Sequence, residues 1–509
     1  MNYLIGIDIG TSATKTVLFD EKGTVIASAS KEYPLYQPQN GWAEQNPEDW
    51  KNATLCTLKE VISTQGVKGE DVKGIGLSGQ MHGLVMLDED GEVIRPSIIW
   101  CDQRTGEEVK DMERLIGRER LISITANPPL TGWTAAKILW VKKNEPENYK
   151  KCKHILLPKD YIRYVLTGEF ATEVSDASGM QLLDVPNRCW SDEVLQKLEI
   201  EKDLLPKVYE SYEITGYVLP EIGQMVGLLE QVAVVGGAGD NAAAAIGTGI
   251  VKDGTAFTTI GTSGVVYAHS SKVVIDPKGR VHTCCSAVPG EWHVMGVTQG
   301  AGLSLKWFKD NFCQDYTAEA KKQGVDVYDL INKEVSAREV GSNKLIYLPY
   351  LMGERTPHLD PDCRGVFFGL SAIHTKPDMI RSIMEGVSFS LSDCNHILQE
   401  MDIHVEQMMA CGGGGKSPVW RQMLSDMYQC QVKTVKQEEG PALGVAILAG
   451  VGTGIYESVE SACELLITEE KKNTPIQEHV EQYQQLYEIY KKLYLDLKDT
   501  FKQLAAISL

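Results

Sequence analysis

Ile9-Gly10-Thr11-Ser12 recurs near the middle of the chain as Ile260-Gly261-Thr262-Ser263. Both copies run on into β-forming residues, Thr16-Val17-Leu18-Phe19 and Val265-Val266-Tyr267. Each reads as strand, tight glycine turn, strand. Each also opens one half of the chain, so the repeat marks two related α/β domains facing each other, residues 1–249 and 250–509. Two unrelated hairpin turns are the plainer alternative. Outward from these turns, helix-like and strand-like segments alternate, as an α/β fold requires. Met379, Ile380, Ile383, Met384, Val387 and Leu391 share one helical face between Lys376 and Met401, and Pro377 suits a helix start. From Gln477 to Leu504, Val480, Tyr483, Tyr487, Tyr490, Leu493, Phe501 and Leu504 recur at helical steps. That spacing predicts a long amphipathic helix whose tyrosines pack and hold no cofactor.

A chain of 509 residues suffices for two to four domains with sizeable cores, so neither disulfides nor a structural metal is needed. Asp plus Glu number 69 against 50 Lys plus Arg, a net charge of −19 with no long basic run. Such a chain repels nucleic acid and anionic membrane. The apolar stretch from Pro441 to Ile455 is too short and too rich in glycine to span a bilayer. A strand pattern starts at the N-terminus without a charged leader. The 12 cysteines are scattered, with no metal-ligand spacing. The expected setting is the reducing cytoplasm.

Four glycine-rich segments carry the chemistry. In Asp8 to Lys15, a turn with hydroxyl residues offers N–H and O–H donors to a phosphate. There Asp8 could hold a hydrated Mg²⁺ and Lys15 could neutralise phosphate charge. An ordinary turn with solvated side chains is the alternative, and the P-loop spacing is absent. Gly261-Thr262-Ser263-Gly264 is the partner turn, and two such turns could clamp one polyphosphate. Cys411 to Gly415, then Lys416-Ser417-Pro418, reads as strand, glycine loop and helix start, with Ser417 as N-cap. That arrangement lets a backbone approach a nucleotide. In Gly236-Gly237-Ala238-Gly239-Asp240-Asn241, Asp240 is either the N-cap of an alanine-rich helix or an ionised carboxylate placed to take a proton from a substrate hydroxyl. Gln80-Met81-His82, between Gly79 and Gly83, reads as a ligand-facing loop, although a lone histidine is more often structural. Asp102 and Arg104 suit a mutual ion pair.

Asp8 to Ser12, Gly239-Asp240-Asn241, Gly261-Thr262-Ser263 and Gly412 to Ser417 stand in the order and spacing of the FGGY carbohydrate kinases, which the chain resembles over nearly its whole length. Ser78 to Gly83 is similar to the substrate loop of the members acting on D-xylulose, and Trp100 to Thr105, Leu157 to Tyr161, Leu166 to Glu169 and Ser175 to Gly179 support the match. The resemblance implies two actin-like (ribonuclease H-like) domains with a catalytic cleft between them, and a phosphotransferase with an alcohol acceptor. ATP would be the donor, Mg²⁺ the cation, and D-xylulose the acceptor giving D-xylulose 5-phosphate. It implies Asp240 as general base, Asp8 organising Mg²⁺ through water, and Met81, His82, Gln80 and Asn241 at the sugar. Thr11, Ser12 and Lys15 would face the transferred phosphate, Gly261 and Thr262 the ATP phosphates, and Gly413, Gly414 and Ser417 the adenosine. Such enzymes often form dimers. A sibling kinase for ribulose, gluconate or glycerol, and an actin-like ATPase that is not a kinase, share parts of this machinery.

Overall fold

The structure, a computed structural model, describes residues 2–64, 66–228, 231–437 and 439–507. Met1 and Leu509, the outer limits of the two expected domains, lie outside the described residues. Tyr3–Ile9 is buried along almost its whole length, as a strand covered on both faces must be. It is central in a seven-stranded sheet. The turn Gly10–Ser12 brings the chain back as antiparallel Ala13–Asp20, and Val25–Glu32 lies antiparallel beyond that. On the other side Val72–Gly79 and Ala233–Val235 add in parallel, with Ile214–Tyr217 at the edge. The short strand Ala238–Gly239 also pairs with Val72–Gly79.

A second seven-stranded sheet repeats the plan. Thr255–Ile260 is central, and the turn Gly261–Ser263 leads into antiparallel Gly264–Ser270. Trp292–Thr298 lies beyond, while Gln407–Cys411 and Gln431–Val435 add in parallel on the opposite side. The same five-strand order with the same turn in the same place makes this a duplicated ribonuclease H-like unit. The fold is therefore the two-domain, actin-like α/β arrangement.

All strands of the first sheet precede Thr255 in the chain, but the helices do not divide at residues 249 and 250. Gly440–Gly452 comes from the second half and packs on Tyr3–Ile9, Val72–Gly79 and the helix Asp240–Gly247. It makes up most of the glycine-rich apolar stretch, and no helix of the described residues is long and apolar enough to cross a membrane. Its approach is so close that a Cβ on Gly6 would lie 1.9 Å from the Ala442 oxygen. One on Gly76 would lie 1.9 Å from the Val445 oxygen, and one on Gly444 1.9 Å from that of Ala243. Here glycine is required because backbone lies directly on backbone.

The long helices follow their sequence signals. Lys376–Glu400 starts with Pro377 and a Thr375–Asp378 capping box, and is buried nearly all round. In Gln477–Ala505 the residues Val480, Tyr483, Tyr487, Tyr490, Leu493 and Phe501 are buried, whereas Leu504 is exposed. We expect Gly444→Ala to cost about 1–3 kcal/mol, the usual penalty of overpacking. Urea unfolding checks this, and unchanged stability would contradict the close contact.

Candidate active site

Strand register brings the two central carboxylates together. Asp8 and Ala238 both lie level with Ser78, on opposite sides of the strand Val72–Gly79. Two residues after Ala238 the chain turns into the helix Asp240–Gly247. The N-cap of this helix is Gly239, so Asp240 is its first residue and not its cap. Asp240 Oδ1 accepts from the Asn241 backbone N–H at 2.8 Å and from Asn241 Nδ2 at 2.9 Å. Burial raises its carboxyl to about 7, and the charge of Asp8 adds to the rise. This corrects the expectation of a carboxylate held ionised by the helix dipole, because desolvation and a like charge outweigh the N–H groups. Burial also pushes Asp8 up, with Lys15 acting in the other direction. Asp8 Oδ1 is buried with no hydrogen-bond partner.

A fully buried ionic cluster fixes the backbone beneath Asp240. Lys159 Nζ reaches Asp160 at 2.8 Å, Glu173 at 3.2 Å and Asp176 at 3.3 Å. Arg163 donates to Asp160 at 2.5 Å, to the Ala171 carbonyl at 2.7 Å and to the Gly236 carbonyl. Burial pushes the Asp176 carboxyl well up, against the pull of Lys159. Ser175 Oγ donates to Glu173 at 3.0 Å and accepts from the Gly239 N–H at 3.1 Å. The cluster thus holds the Asp240 turn at both Gly236 and Gly239.

Met81 and His82 form the wall beside the carboxylates. A Cβ on Gly239 would touch Met81 Sδ at 3.0 Å, and one on Gly179 would lie 2.6 Å from the His82 ring. His82 has a left-handed backbone, φ 69°, a strain that a site residue can carry. Its carbonyl accepts from buried Lys137 at 2.7 Å, and its Nδ1 lies 2.8 Å from the Gly179 carbonyl. Burial lowers His82 to about 3, so the ring is neutral. With Nδ1–H donating to Gly179, Nε2 is left as an acceptor. Trp133 stacks on His82 at 4.6 Å, and His282 of the second half lies 5.3 Å from Trp133. Neither Trp133 nor His282 is singled out by a sequence motif. Gln80, expected at the ligand, is 2% exposed and donates to Gln45 at 2.7 Å, bracing the first turn.

The first turn is half-buried to exposed and the second is exposed, and both are hydrogen-bonded. Gly10 N–H donates to Ala13 at 3.0 Å, Thr11 Oγ1 accepts from the Trp100 indole at 2.9 Å, and Ser12 is exposed. Lys15 forms an ion pair with Glu439, the residue before the helix Gly440–Gly452. Gly261 and Thr262 are exposed, and their carbonyls accept from Gly302 at 2.7 Å and Leu303 at 3.2 Å. The glycine run is not a loop, since Gly412–Gly415 forms a helical turn. It lies against Ile260, where a Cβ on Gly414 would come within 2.5 Å, whereas one on Gly413 would meet nothing within 4 Å. Ser417 caps the helix Pro418–Tyr428 through Trp420 N–H and donates to Asn332 at 2.6 Å, so its hydroxyl is already engaged. Arg104 pairs with Asp102 at 2.7 Å and Glu44 at 2.8 Å, the structural role anticipated for it.

The arrangement suits proton abstraction next to bound phosphates, with Asp8 and Asp240 as the carboxylates that could share a divalent cation. The orphaned Asp8 oxygen and the mutual repulsion of the pair fit such an ion. Among the described residues no group of three or more His, Cys, Asp or Glu could hold a metal. The folded value of Asp240, about 7, lies above its ordinary 3.8. Its ionisation therefore costs stability that is fully felt above pH 7 and disappears below about pH 4. Asp240→Asn should raise the melting temperature of the ligand-free protein at pH 8 and lose that gain at pH 4. An equal change at both pH values would contradict the shift.

Comparison with known proteins agrees with the geometry. The profile for the N-terminal domain of the FGGY family of carbohydrate kinases matches residues 3–247, and that for its C-terminal domain matches residues 256–453. A xylulose kinase of Bacillus subtilis is 42% identical over 499 residues, covering 98% of each chain. A gluconokinase of the same organism is 34% identical over 506 residues, covering 99% of this chain and 98% of its own. The solved structure of a ligand-bound xylulose kinase from Lactobacillus acidophilus superposes with a TM-score of 0.92 at 27% identity, over 99% of this chain and 100% of that one. The chain belongs to the FGGY family of carbohydrate kinases.

Proposed function

We propose that the chain transfers the terminal phosphoryl group of ATP to the C5 hydroxyl of D-xylulose, giving ADP and D-xylulose 5-phosphate. The observation that carries this is the pairing of Asp240 with Asp8 at the floor of a wall made by Met81 and His82. Family membership supplies ATP as donor, and the xylulose kinase relative supports the acceptor.

Asp240 takes the proton of the C5 hydroxyl through its carboxylate, which Asn241 orients by two hydrogen bonds to Oδ1. The alkoxide oxygen forms a bond to the γ-phosphorus as the bond to the ADP oxygen breaks. In such transfers the base aligns the attacking oxygen more than it activates it. Thr11 and Ser12 lie at the tip of the first turn, where they face the moving phosphate. Gly261 and Thr262 present the second turn to the ATP phosphates. Gly413 and Gly414 line the adenosine, with Gly413 the open position. Lys15 reaches the phosphate only by exchanging its Glu439 partner. Mg²⁺ held at Asp8 through water would offset the repulsion between carboxylates and neutralise phosphate charge. His82 Nε2 accepts from a sugar hydroxyl.

A coupled ADP-release assay against D-xylulose, L-ribulose, gluconate and glycerol, each beside a no-sugar control, tests the reading. D-Xylulose should give the highest kcat/KM by at least about tenfold, and Asp240→Asn should lose about a thousandfold in kcat with ATP affinity nearly unchanged. Another sugar in first place would overturn the acceptor, and full activity of Asp240→Asn would overturn the base.

A further inference from the structure

Glu354-Arg355-Thr356 lies in a turn-rich stretch of the second half, between Gly353 and Pro357. Both neighbours of Arg355 are buried, at 3% and 1% exposure, and both are pinned. Glu354 Oε1 accepts from the Gln299 N–H at 2.7 Å and the Arg355 N–H at 2.8 Å, and its Oε2 accepts from Ser390 at 3.3 Å. The Thr356 N–H donates to Val297 at 3.0 Å, and its hydroxyl accepts from the Val297 N–H at 3.1 Å. That hydroxyl also donates to the Arg280 carbonyl at 2.9 Å, two residues before His282. These bonds set the backbone of Arg355 beside the strand that bears His282. Its charge acts on both His82 and His282.

The guanidinium itself is half-buried and has no hydrogen-bond or ion-pair partner among the described residues. Glu354, its neighbour in the chain, is pushed up to about 8 by burial, which weakens the one carboxyl whose charge acts on the guanidinium. A partly desolvated cation left unpaired is costly unless a ligand completes it. The wall now has an order: Asp240, Met81, His82, Trp133, His282, with Arg355 beside the last. Arg355 acts on His82 and His282 but is not among the groups that shift Asp240, which sets it toward the end away from the base. If Asp240 takes the C5 proton, that end receives C1 and C2 of the sugar. Guanidinium only donates, and a ketone oxygen only accepts, whereas a hydroxyl does both.

We propose that Arg355 donates hydrogen bonds to the C2 carbonyl oxygen of the open-chain ketose, so that the second half of the chain reads the end of the sugar remote from Asp240. This rests on D-xylulose as acceptor and adds a specificity residue to it. On this reading a ketose is to be preferred to the polyol of equal length, since reduction replaces the acceptor-only oxygen by a hydroxyl.

The test compares D-xylulose with xylitol and D-arabitol, the two alcohols made by reducing its carbonyl. Turnover is read, or a competitive inhibition constant where no turnover is seen, for the wild type, Arg355→Met and Arg355→Lys. Arg355→Met should lose about 30-fold in kcat/KM on D-xylulose, the worth of a charged hydrogen bond, and change less than about threefold on the alcohols. Arg355→Lys should fall between, again on the ketose alone, which keeps the test open if the Met variant folds poorly. Equal losses on ketose and alcohols, or an unchanged ketose, overturn the assignment of Arg355. Failure of the wild type to phosphorylate D-xylulose at all overturns the acceptor, and this inference with it.

Discussion

Backbone lying on backbone, at the crossing of Gly440–Gly452 with the helix Asp240–Gly247 and the first sheet, is the constraint on which the site depends. A single methyl at Gly6, Gly76 or Gly444 would collide with a carbonyl oxygen. The helix from the second half of the chain is thereby locked against the strand that bears Asp8 and the helix that begins with Asp240. Glu439, just before that helix, then falls within reach of Lys15. A segment of the second half thus sits in the wall of the first, and the halves meet beside Asp8 and Asp240.

That placement has an electrostatic cost. Asp8 and Asp240 are forced together in a partly desolvated site, and both are pushed toward their neutral forms. The buried cluster of Lys159, Asp160, Arg163, Glu173 and Asp176 keeps the Asp240 turn from relaxing away. A strained His82 backbone, held through its carbonyl by Lys137, is a second local cost. Sites with this character tend to be functional, because structure alone would have no use for the strain. In the proposed reaction ATP, sugar and a cation bring the charges and donors that such a site lacks.

Much of this was legible in local sequence. The turns Gly10–Ser12 and Gly261–Ser263 were readable because a short turn between strands leaves few residue choices, and Ser417-Pro418 because helix capping is local. The tyrosine helix was readable from its period. Asp240 was ambiguous, since an acid near a helix start suits both a cap and a base. Only the backbone shows that Gly239 takes the capping position. The glycine run reads as a loop because glycine disfavours helix, yet close contact with Ile260 overrides that preference. Gln80 reads as facing a ligand because glycines flank its loop, but it continues the strand, with its N–H on Ile9 at 2.9 Å, and its side chain turns to Gln45. Trp133, His282 and Arg355 come from three distant segments and meet only through the fold. Gly353-Glu354-Arg355-Thr356-Pro357, a charged pair inside a turn, was the one signal available for Arg355.

The most direct measurement is a carboxyl ¹³C titration of the ligand-free protein, with the Asp240 signal assigned by its loss in Asp240→Asn, repeated in Asp8→Asn. An ionisation near 7 that moves down when Asp8 is neutralised is expected if the two carboxylates are held together as described. An Asp240 that titrates near 4, or one indifferent to Asp8, would contradict the pairing at the centre of the site.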